Sequence, residues 1–135
     1  MQKRTTPEYI SNLPKNHIFV FGSNLSGRHG KGAAKTALRW GARYGRANGP
    51  QGRTYALPTK DAQIKHALSI DIIRPFVDEF IAFAKENVGL VFLVTEVGCG
   101  LSGLKPSAVA PLFIDAIGVE NIHLPERFWN ILNKI

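Results

Sequence analysis

Four short apolar runs, separated by segments of helix-forming residues, constrain this chain more than any other feature. They are His17-Ile-Phe-Val-Phe21, Thr54-Tyr-Ala-Leu57, Leu90-Val-Phe-Leu-Val-Thr95 and Asn121-Ile-His-Leu124. Runs this short, rich in β-branched and aromatic residues and bounded by Gly or Pro, read as buried strands. Between them, Ala33–Trp40 holds strong helix formers and no proline. A second helix is expected from Ile72 to about Asn87, with Asp71 as its cap and Pro75 in its first turn, where a missing N–H does no harm. Its apolar stripe is Ile73, Val77, Phe80, Ile81 and Ala84. Pro106 opens a third helix that runs to about Ile117, and Pro125–Leu132 forms a terminal helical turn or two. Residues 41–53, with four glycines and Pro50, read as loop, and Pro58 ends the second strand.

The resulting order, β-α-β-α-β-α-β, predicts an α/β protein: a three-layer α/β/α sandwich around a mostly parallel central sheet with right-handed crossovers. At 135 residues the chain suits one domain, residues 1–135. Ligands of such sheets bind outside the carboxyl ends of the strands. Two glycine-rich loops, Gly27–Gly32 and Gly98–Gly103, each follow a strand and precede a helix, so both belong at that edge. Backbone N–H groups of such loops bind anions without a charged side chain, and two of them suit a diphosphate. Neither loop is a Walker A sequence, and no Gly-x-Gly-x-x-Gly signature is present.

Charge is distributed unevenly. The net charge is +7, yet no acidic residue occurs between Tyr9 and Lys60, a block with nine basic residues. From Asp61 onward there are six basic and nine acidic residues. Lys31, Lys35, Arg39 and Arg43 recur every four residues, and neighbouring like charges at that spacing cost a few tenths of a kcal/mol per pair unless water or a polyanion relieves them. A nucleic-acid-binding module using residues 28–53 is therefore one expectation, and a solvated basic face is the other. A single Cys excludes an intrachain disulfide and argues against a cysteine-based zinc site. No apolar run reaches membrane-spanning length, and the first residues lack a signal-peptide core, so the expected address is cytoplasmic with no membrane partner.

Three segments together carry a resemblance: Phe19-Val-Phe-Gly-Ser-Asn-Leu-Ser-Gly-Arg-His-Gly-Lys-Gly-Ala-Ala-Lys35, Tyr55-Ala-Leu-Pro-Thr-Lys-Asp61 and Val94-Thr-Glu-Val-Gly-Cys-Gly-Leu-Ser-Gly103. Across residues 17–125 the chain resembles a small phage-associated branch of the macrodomain superfamily, whose members bind ADP-ribose. The resemblance implies binding of ADP-ribose or a related NAD-derived nucleotide. Asn24 matches the asparagine that follows the first core strand and contacts the distal ribose, and Ser23 beside it is a candidate ligand contact. Gly30, Gly32 and Ala33 match the glycine-rich loop beside it, in which His29 is a further candidate ligand contact. Val97, Gly98, Cys99, Gly100, Leu101, Ser102 and Gly103 match the loop that wraps the diphosphate. Pro-Thr-Lys60 and Gly-Cys-Gly-Leu101 are similar to the subclass that hydrolyses ADP-ribosyl links to glutamate side chains or to thymidine in DNA, where the lysine is catalytic. Two positions depart from the pattern. Ser102 stands where that subclass has an aspartate, and Leu13–His17 carries no counterpart to the aspartate that reads adenine. A non-catalytic phage or host interaction protein is a further alternative.

Individual residues carry paired readings. Lys60 is a phosphate-binding cation or, with a depressed pKa, a nucleophile. Asp61 replaces the missing carboxylate or pairs with Lys60. His29 is a ligand contact or an acid–base group. Cys99 is a packing residue or a thiol activated at a helix N-terminus. Glu96 faces the ligand or pairs with a cation. Phe128 and Trp129 read as a core lid. His17, His66 and His123 lack metal-ligand spacing, and neither a metal nor a cofactor is expected.

Overall fold

The computed structural model describes residues 4–135. It is an α/β structure whose sheet has five strands, β1 His17–Asn24, β2 Gly49–Gln51, β3 Thr54–Lys60, β4 Val91–Val94 and β5 Ile122–His123. Their order is β2-β3-β1-β4-β5. Every pairing is parallel except β2 with β3. The helices are α1 Gly32–Ala37, α2 Ile70–Glu86, α3 Pro106–Val109 and α4 Glu126–Leu132.

Alternation along the strands divides the core. Ile18 and Val20 face a large cluster built with α2, Phe113 and α4, whereas Phe19 and Phe21 face a small one with Ala34, Ala37 and Ala42. Alanines on α1 let that helix lie close to the sheet. The connection β1-α1-β3 steps one way along the sheet with its helix on one face. The connections β3-α2-β4 and β4-α3-β5 step the other way with theirs on the opposite face, the arrangement that right-handed crossovers require. Phe128 and Trp129 are buried members of the large cluster.

Several boundaries differ from expectation. The 41–53 segment is not all loop: Gly49-Pro50-Gln51 forms the antiparallel edge strand β2, closed onto β3 by a turn at Gly52. Its composition reads as loop because proline and glycine suit only an edge position of a sheet. β3 runs through Pro58 to Lys60, because β2 pairs only Thr54–Ala56 and leaves Pro58 no ladder partner on that side. α1 is six residues long and passes into a 3₁₀ turn at Leu38–Trp40, and Gly41 at φ +104° ends it. The stripe of four cations is thus broken: Arg43 lies beyond the helix. Ser69, not Asp71, caps α2, accepting the Ile72 N–H, and Pro75 falls in its second turn. α3 is a single turn, continued as 3₁₀ over Ala110–Ala116 with a kink at Phe113. No helix among the described residues is long and apolar enough to cross a membrane.

Candidate ligand-binding crevice

The chain leaves β1 toward β3 and leaves β4 toward β5, so β1 and β4 flank the point where strand order reverses. At such a point the strand ends diverge and leave a crevice. An open crevice of about 1100 Å³ lies there. Phe19 of β1 and Thr95 just after β4 line it, with Ala33, Thr36 and Arg39 from the α1 region, residues 5–11 from the N-terminal segment, and Pro125–Arg127 from the start of α4. The N-terminal segment is held in place as a wall. Thr6 N–H donates to Leu124 O, Leu124 N–H donates to Arg4 O, and the Trp129 indole donates to Arg4 O.

Both glycine-rich loops lie at the carboxyl edge, close in the chain to the crevice residues Ala33 and Glu96, although neither Gly27–Gly32 nor Gly98–Gly103 lines the crevice itself. Gly22, Thr59 and Gly98 bring β1, β3 and the second loop together. A Cβ on Gly22 would lie 3.2 Å from both Gly98 N and Thr59 Oγ1. The buried Thr59 hydroxyl donates to Ser23 O at 3.3 Å and lies 3.0 Å from Ser102 Oγ. Ser102 therefore has a packing and hydrogen-bonding role that the sequence does not reveal. The loops also meet directly, since a Cβ on Gly32 would lie 3.3 Å from the Leu101 side chain. Gly30 has open space around it.

The second loop leaves part of its backbone unpaired. Its turns use the N–H groups of Val97, Cys99, Gly103 and Leu104. Among the described residues, those of Gly98, Gly100, Leu101 and Ser102 donate to no protein acceptor. Gly98 and Gly103 both take φ +77°, the left-handed region that glycine adopts without penalty.

The first loop is built around Asn24. Its carboxamide Oδ1 accepts from Arg28 N–H at 3.0 Å and Ser26 Oγ at 2.8 Å, while Nδ2 donates to Arg28 O at 2.8 Å. The side chain is buried and engaged within its own loop. Ser23 Oγ donates to Ala47 O. Gly27, at φ +70°, lies so close to residues 45–46 that a Cβ would come within 2.5 Å of the Gly45 carbonyl carbon. His29 is buried, with its ring edge-on to Phe21, and neither ring nitrogen has a protein partner.

Lys60 is half-buried at the end of β3, in register with Asn24, and its carbonyl accepts Leu25 N–H. It thus belongs to the same edge as both loops. The Asp61 side chain does not pair with Lys60. Its carboxylate accepts Lys65 N–H at 2.9 Å and His66 N–H at 3.4 Å, bonds that hold its pKa below the ordinary value. Glu96 lies on the crevice wall and makes a bidentate pair with Arg127 at 2.5 and 2.6 Å, which lowers its pKa. Cys99 is not at a helix N-terminus, since α3 begins at Pro106. Burial and the Glu96 charge push its thiol up to about 11, so packing is its role. Among the described residues no group of His, Cys, Asp or Glu converges as a metal site.

Part of the basic block has structural work. Arg39 donates to Ser11 O and lies over Trp40, and Arg53 donates to Leu13 O and Pro14 O, so two of the nine cations fasten the N-terminal segment. Comparison of the chain with protein-family models, curated proteins and solved structures returns no match.

Proposed function

We propose that this is a macrodomain-like protein that binds ADP-ribose, or a related NAD-derived nucleotide, in the crevice between β1 and β4. The observation that carries the reading is the second loop: four unpaired backbone N–H groups at Gly98, Gly100, Leu101 and Ser102, on glycine-rich backbone beside a sheet switch point. Unpaired N–H groups on such a loop suit the diphosphate, which then needs little of the chain's positive charge. The first loop takes the distal ribose. Lys60, at the same edge, supplies a cation beside the anomeric carbon.

If an ADP-ribosyl bond is hydrolysed here, Lys60 carries the step. Ser102 is not a carboxylate, and the Asp61 carboxylate is spent on its own turn. Titration calorimetry with ADP-ribose tests the binding. A saturable heat accompanied by a rise in melting temperature is expected, since a ligand at a hundred times its Kd stabilises by about 2.7 kcal/mol. Absence of both at millimolar ligand overturns the reading.

A further inference from the structure

A different part of the basic block has no structural task. Arg28, Lys31, Lys35, Arg43 and Arg46 are exposed, and among the described residues none of their side chains forms an ion pair. Three of these come together through two crossing loops. Gly45 N–H donates to Gly27 O at 2.7 Å, and the missing side chain of Gly27 lets the 27–29 backbone lie directly on residues 45–46. Arg43-Tyr44-Gly45-Arg46 is a tight turn closed by Arg46 N–H to Arg43 O, with Gly45 at φ +93° in its third position. Tyr44 stands at the tip of that turn and is 65% exposed.

Tyr44 is supported from below. Its ring packs edge-on to His29 at 6.3 Å between centroids, and His29 packs edge-on to Phe21 of β1 at 5.2 Å. The ring is therefore tied to the sheet through a buried histidine while most of it faces solvent. An aromatic platform on a rigid base, with arginines on both sides in sequence and a third on the crossing loop, combines the two elements that bind single strands: stacking for bases and cations for phosphates. An anionic bilayer would engage the same cations, and its interface also accepts a tyrosine ring, so vesicles are the competing partner in the test.

We infer that the Tyr44 turn, with Arg43, Arg46 and Arg28 of the adjoining first loop, is a binding surface for single-stranded nucleic acid that lies outside the lining of the β1/β4 crevice. Fluorescence anisotropy with a labelled thymidine oligomer of about 20 nucleotides, and with vesicles containing phosphatidylserine as the competing polyanion, tests it. Binding at low salt is expected to weaken as salt rises. Tyr44→Ala should lose roughly five-fold or more in affinity, and Tyr44→Trp should retain it. Arg43→Ala/Arg46→Ala should reduce the slope of log K against log salt by about 1.4. ADP-ribose calorimetry on Tyr44→Ala should be unchanged, which separates this surface from the crevice. No oligomer binding at low salt, wild-type affinity in Tyr44→Ala, or retention by vesicles but not by the oligomer overturns the inference.

Discussion

The hydroxyl oxygens of Thr59 and Ser102 lie 3.0 Å apart, joining the end of β3 to the loop after β4 across β1, which separates the two strands in the sheet. Thr59 Oγ1 also bonds Ser23 O, so one buried hydroxyl ties three carboxyl-edge segments together. Thr59→Val keeps the shape and removes both bonds, leaving Ser23 O and Ser102 Oγ short of a partner. Loss of about 1–2 kcal/mol is expected in urea unfolding, with a lower melting temperature. A variant as stable as wild type would show that the hydroxyl does not brace the edge.

Two glycines three residues apart should behave in opposite ways. Gly27→Ala forces a Cβ into the residue 45–46 backbone at positive φ, and a cost above about 2 kcal/mol is expected. Gly30→Ala has nothing within 4 Å and should stay within about 0.5 kcal/mol. Parallel denaturation curves of the two variants decide the matter; similar costs would contradict the packing of the two loops.

Glu96 and Arg127 introduce an acid sensitivity. A carboxylate with a depressed folded pKa adds stability that is fully present above its unfolded pKa, ordinarily about 4.3, and is lost as pH falls through the lower folded value. Arg127→Ala should therefore flatten part of the stability decline measured below that pH, and Glu96→Gln should flatten the same part. An unchanged acid limb in both variants would argue against the pair.

Cys99 should be slow toward thiol reagents. With its pKa raised to about 11, roughly one molecule in a thousand carries the thiolate at pH 8. Modification rates should keep rising well above pH 9. Fast labelling at neutral pH would place the thiol in a more open setting than the one between Val97 and the core.

For hydrolysis, Lys60→Ala should abolish release of an ADP-ribosyl group from a modified substrate while leaving ADP-ribose calorimetry within about three-fold of wild type. Turnover that survives the substitution removes Lys60 from the reaction.

Much of the architecture can be read from local pattern. The Leu90–Thr95 run and the Ile73, Val77, Phe80, Ile81, Ala84 stripe lie where their periods place them, because a buried strand and an amphipathic helix are specified by residues near one another in sequence. β2 was not legible, since Gly49-Pro50-Gln51 becomes a strand only through its hairpin with β3. Nor could spacing show that α1 ends at Ala37, where the turn at Gly41 packs against Gly52.

The site divides along the same line. Sequence alone put two glycine-rich loops after strands and so assigned them to one edge of an α/β sheet, because strand–loop–helix order fixes the edge to which each loop belongs. Asn24 and Asp61 are committed by local turns, to Arg28 and Lys65 four residues on. Tertiary structure decided the rest: it paired Glu96 with Arg127 and assigned Arg39 and Arg53 to the N-terminal wall. The larger of these links join residues about thirty to forty positions apart, Glu96 with Arg127 and Arg53 with Leu13. Hydrogen bonds of that span depend on how the strands order themselves in the sheet, which no local period records.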